Sequence, residues 1–267
     1  MSVQPPRTAA GLARSALLLF GGYTFAYSVL VAVHELGHFL TLRALGVANV
    51  TFVLHPFTGS KTIWDATDEF IGTVDVAGPL AAVVVGVIVT AAFWALRRPA
   101  LVPLLLLGPV ACLTEGVSNF MQIALRSPGS DAMRIVEAGV PGAVVATVSV
   151  LVFLAGMSGL VLLLPVVGLS PDAGFSDKAM VLGAGLGAFM LVGVVYGVFV
   201  DGTALSRNGP QLAFALVMAL VLAAIYRPVF RFLRRGVRAS VRNVQWAASW
   251  LAVSFGVIVV GAQLVSF

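Results

Sequence analysis

Charge is what this chain has least of. Only 10% of its 267 residues are Asp, Glu, Lys or Arg, and 60% are hydrophobic. A soluble domain carries roughly 25% charged residues. The shortage, spread over long uncharged runs with a mean hydropathy of +1.03, excludes an ordinary soluble domain. Cysteine is almost absent too. Cys112 stands alone inside an apolar run, which excludes a disulfide, a CxxC pair and a thiolate zinc site within one chain. It reads as a small buried hydrophobe. Internal repeats and paired broken helices are also missing, which speaks against a transporter. The basic residues lack interleaved aromatics and any nucleic-acid motif, so no nucleic-acid partner is expected. They lie at span ends and in one connecting segment, where they set orientation and meet anionic head groups.

What the chain does have is apolar helix. A transmembrane helix needs ~20 apolar residues, and the runs provide six or seven. The expected fold is an all-α, multi-pass integral membrane protein of the cell membrane, with six or seven transmembrane helices. Spans are expected at about 15–42, 76–96, 100–125, 139–166, 179–200, 210–226 and 246–266. Arg7 and Arg14 precede the first run like the start of a signal peptide. That run continues for about two dozen residues, so it reads as an uncleaved span.

Residues 46–75 carry the one sustained β-like signal. VTFVL, TIW and FIGTV are rich in β-branched and aromatic residues, and Pro56, Gly59 and Ser60 break them. A hairpin or small sheet at the membrane surface follows. Pro103 and Gly108-Pro109 should kink the third span. Residues 227–242 alternate arginine with apolar residues, as in an interfacial basic helix. The chain divides into a three-span core, 1–138, and accessory helices, 139–267. With the N-terminus inside, Arg7, Arg14, Arg97, Arg98, Lys178 and six arginines of 227–242 fall inside. Arg43, Lys61, Arg126, Arg134 and Arg207 fall outside. That bias favours seven spans with the N-terminus in the cytoplasm.

One stretch defies the apolar pattern. LVAVHELGHFLTLRAL, residues 30–45, places His34, Glu35 and His38 inside the first span. Buried polar groups cost several kcal/mol unless satisfied, and ionisable residues inside a membrane mark function. On a helix, residues i and i+4 stand one above the other. His34 and His38 can therefore aim their imidazoles at one point, as two ligands of a tetrahedral zinc. Glu35 lies roughly 100° around the helix, where it reaches a water at the metal without ligating it. This is the mechanical logic of HExxH.

Catalytic zinc takes a third protein ligand and keeps an open position. His55, in the hairpin, reads as a surface-loop histidine. Among the carboxylates, Asp131, Asp75 and Glu115 remain open. HELGH sits toward the C-terminal end of the first span. Asp131, just past the end of the third span, is on the same side, and its Pro128-Gly129 flank permits an inward turn. Asp75 opens the second span on that side too, and Glu115 lies midway along the third.

HELGH in the first span, AGPLA opening the next, and a third span ending in Asn119, Pro128 and Asp131 resemble the site-2 protease family of intramembrane zinc metalloproteases. The resemblance covers about residues 15–135. It implies His34, His38 and Asp131 as zinc ligands, Glu35 as general base, and Asn119 as a polar residue that positions substrate or stabilises charge. It also implies one zinc per chain, a membrane-protein substrate and a β segment between the first two core spans. The chain departs from the family pattern at Gln122, where a proline is usual, at Ala132 in place of glycine, and at Ala82 in place of asparagine. The expected function is an intramembrane zinc endopeptidase cutting in or near transmembrane segments. The alternatives are a non-catalytic metal- or partner-binding relative and, less favoured, a transporter.

Overall fold

The computed structural model describes residues 8–53, 61–64, 71–96, 102–199 and 205–234. Within them the chain is helical apart from one small sheet. The elements run α1 (Ala9–Ala44), β1 (Val50–Val53), β2 (Lys61–Trp64), α2 (Ile71–Leu96), α3 (Val102–Leu105), α4 (Leu107–Ala124), α5 (Asp131–Glu137), α6 (Gly142–Leu163), α7 (Phe175–Phe199) and α8 (Leu205–Arg234). Among the described residues four stretches are long and apolar enough to cross a membrane: Ala9–Ala44, Gly72–Ala95, Gly142–Leu163 and Leu216–Leu233. The outer faces of α2 and α6 carry exposed Ile88, Val87, Leu151 and Leu154. Lipid solvates such faces at no cost.

The expected hairpin forms in the described part of 46–75. β1 and β2 pair antiparallel with Phe52 opposite Thr62 and Val50 opposite Trp64. His55 and the breakers Pro56, Gly59 and Ser60 lie outside the described residues, as does the expected span 246–266.

Two expectations are refined. The stretch expected as a third span, which is not among those four, is broken rather than bent: α3 ends at Leu105 and α4 starts at Leu107. Pro109 has no N–H to give and its ring crowds the carbonyl of Leu105. The Gly108 N–H is taken by Thr90 Oγ1 on α2 at 2.7 Å. The basic segment is not separate from its span either. α8 continues through Arg227 and Arg231, both paired with Asp172 at 3.1 and 3.5 Å. Arg235, Arg238 and Arg242 lie outside the described residues.

The chain divides into two compact units. In the first, Leu19 fills the space left by Gly185, Tyr23 meets Phe189 at 5.0 Å, and the buried Tyr226 hydroxyl donates to the Leu169 carbonyl at 2.8 Å. The second, Ala26–Ala95 and Leu104–Leu160, contains every residue of the candidate centre. Its helices meet closely at glycines. A methyl at Gly116 would come within 2.5 Å of the Phe153 nitrogen on α6, and one at Gly37 within 2.6 Å of the Ala77 carbonyl on α2. The second contact presses α2 onto α1 one residue before His38.

Candidate metal centre

α1 presents His34 and His38 one turn apart, as their spacing requires. Their Nε2 atoms are 3.0 Å apart. Asp131, the first residue of α5, brings Oδ2 to 3.1 Å from His34 Nε2 and 3.6 Å from His38 Nε2. Bonds of ~2.0–2.1 Å to a tetrahedral zinc place ligand atoms roughly 3.3 Å apart. The observed triangle has that size.

The outer hydrogen bonds decide which nitrogens are free. His38 Nδ1 donates to the Val74 carbonyl at 2.7 Å. His34 Nδ1 donates to Glu115 Oε1 at 2.8 Å. With both Nδ1 positions carrying the proton, both Nε2 atoms present lone pairs. Two lone pairs and a carboxylate oxygen thus face one another. A proton relieves one pair of such acceptors, whereas a cation relieves all three. Orientation of ligand histidines by a carboxylate and a carbonyl is the usual outer arrangement at metals. Asp131 and Glu115 together supply two negative charges, which a divalent cation balances.

Asp131 is held for this role. Ser130 precedes it in extended conformation at the start of α5, and a carboxylate in a first helical turn is favoured by the dipole. Gln122 Oε1 accepts the Ala132 N–H at 3.2 Å, tying α5 back to α4. Cation binding takes the ionised form of this carboxylate.

AGPLA acquires a physical meaning here. A methyl at Gly78 would strike His38 Nε2 and come within 2.5 Å of His38 Cε1 and 2.8 Å of His34 Cδ2. Gly78 leaves room at the metal-facing edge of both rings. Pro79 withholds an N–H from the Asp75 carbonyl, one residue from the Val74 carbonyl that receives His38. Gly78→Ala should therefore lower any divalent-metal affinity of the His34, His38 and Asp131 group by at least ~10-fold, the scale of a disturbed outer partner. Chelator competition measures this, with helical circular dichroism unchanged. Wild-type affinity would show that the rings have room to spare.

Of the three carboxylates left open by the sequence, the structure brings Asp131 to the two imidazoles. Glu115 stands behind His34 instead. Asp75 is buried, with Oδ1 at 3.5 Å from Arg134 Nη1 and Oδ2 without a hydrogen-bond partner among the described residues. Glu35 is buried, and its Oε2 accepts from Thr62 Oγ1 at 2.9 Å. Asn119 lies half-buried on α4, one turn past Glu115. Thr62, Arg134 and Gln122 are the site-building residues that no motif marks.

Comparison with known proteins returns no match among family models, curated proteins or solved structures.

Proposed function

We propose that the chain is an intramembrane zinc endopeptidase that hydrolyses peptide bonds in or near transmembrane segments of membrane proteins. The observation that carries this reading is the convergence of His34 Nε2, His38 Nε2 and Asp131 Oδ2, on a helix where the buried Glu35 directly follows His34. Two imidazoles and a carboxylate suit several divalent metals. The glutamate one residue after the first histidine favours hydrolytic chemistry, and with it zinc.

His34, His38 and Asp131 would hold the metal. Zinc supplies, when bound, a Lewis acid that acidifies water and polarises a carbonyl. Glu35 accepts the proton of the attacking water on a carboxylate oxygen and passes it to the departing amine. Thr62 fixes one oxygen of that carboxylate, leaving the other for the proton. Val74 and Glu115 hold the imidazole tautomers. Asn119 is proposed, on the resemblance alone, to position substrate or stabilise charge. A helical substrate shields its carbonyls and must unwind locally. Among the described residues β1 and β2 are both edge strands of a two-stranded sheet, the kind of edge to which an extended segment can add. We place α4 and α7 in the bilayer as well, which gives six or seven spans in the cell membrane.

A non-catalytic descendant of such a fold is the competing reading, and the intact Glu35 speaks against it. The test is Glu35→Gln in native membranes. Membrane proteins that the wild type shortens should accumulate uncut and co-purify with the variant. Identical membrane-protein fragments in wild type, variant and a strain lacking the chain would contradict the proposal.

A further inference from the structure

Strand β2 reaches Glu35 on α1 and Arg134 on α5 with one face. Side chains two apart on a strand point the same way. Thr62 is buried, Ile63 is 46% exposed, and Trp64 is half-buried, so Thr62 and Trp64 share the inward face. Thr62 Oγ1 reaches both the Glu35 carboxylate at 2.9 Å and the Glu35 carbonyl at 3.2 Å. The Trp64 ring lies under the Arg134 guanidinium, 5.6 Å from Cζ to the ring centroid, within cation–π range. Arg134 is three residues after Asp131, on the same face of α5. It also meets Asp75 of α2. The hairpin rests on α1 through Phe52 and Phe39, with rings 6.3 Å apart, directly beside His38.

We infer that β2 is a positioning strap: Thr62 sets the Glu35 carboxylate, and Trp64, acting through Arg134, sets the helix that delivers Asp131. This rests on the roles proposed above for Glu35 and Asp131. Both ends of the strap act on groups that sit on other elements, so its two effects separate. Trp64 governs metal binding and Thr62 governs the proton acceptor. Arg134 is a poor first target, because its loss strands the buried Asp75 carboxylate. Trp64 can be changed while the Arg134–Asp75 pair stays intact.

The full-length protein in detergent or nanodiscs is titrated with zinc against a chelator, with thermal unfolding of the metal-free protein as the folding control. Trp64→Leu should bind zinc about tenfold more weakly, the scale of a lost outer partner, and Trp64→Phe should recover most of that loss. Thr62→Val should bind zinc as the wild type does but cleave with kcat lowered and KM unchanged, and Thr62→Ser should restore kcat. Wild-type zinc affinity in Trp64→Leu overturns the strap, as does equal weakening in Trp64→Phe. Unchanged kcat in Thr62→Val removes its second arm. The zinc titration needs no peptide hydrolysis. Absence of any cleavage by the wild type would therefore sink the protease reading while leaving the Trp64 result to decide the strap.

Discussion

Purified Glu35→Gln should retain one zinc per chain and lose peptide hydrolysis. Glutamine keeps the side-chain oxygen that accepts from Thr62 Oγ1, so the packing around position 35 survives. What it lacks is a basic oxygen. A positioned general base is worth about 10²–10⁴-fold in rate, or ~2.7–5.5 kcal/mol at the transition state. The loss should appear in kcat, because Glu35 is not among the three groups that converge on the metal position. Cleavage of a membrane-protein substrate in proteoliposomes, with zinc content measured on the same sample, reads both quantities. Undiminished cleavage by this variant would end the mechanism.

Removal of a ligand should separate from removal of an outer partner. His34→Ala and Asp131→Ala each delete a corner of the triangle and should leave little bound zinc at micromolar metal. Glu115→Gln deletes only the charge behind His34 and should weaken binding by ~10–100-fold. Asp75→Asn should weaken zinc binding least of the four, since Asp75 Oδ1 meets Arg134 and supplies no ligand atom. Equilibrium dialysis across the four variants tests the ranking. Zinc retained in Asp131→Ala but lost in Asp75→Asn would reassign the third ligand.

Local periodicity carried much of this centre into the sequence. His34 and His38 are four residues apart, and a helix converts that spacing directly into a shared direction. Asp131 was one of three carboxylates left open, since the expected span order put Asp75 on the same side; only the fold brings Asp131 to the imidazoles. The rest depends on contacts between distant segments. Glu115 reaches His34 across 81 residues and Thr62 reaches Glu35 across 27. No periodic pattern marks such pairs. Gln122 looked like a departure from a motif, and in the structure it anchors the backbone after Asp131. The break at Leu106 required knowing that Thr90 would take the Gly108 N–H, a contact with another helix. α8 continues past Arg227 through Pro228, against proline's local cost in a helix interior, and Asp172 pairs with Arg227 and Arg231 on either side of it.

The central claim is that two imidazoles and one carboxylate of this chain hold zinc. X-ray absorption at the zinc edge, on the purified metal-loaded protein, tests it most directly. The expected spectrum shows nitrogen and oxygen neighbours at ~2.0–2.1 Å, with the outer-shell scattering of two imidazoles, reduced to one in His38→Ala loaded at millimolar zinc. A spectrum without imidazole scattering, or one unchanged in His38→Ala, would contradict it.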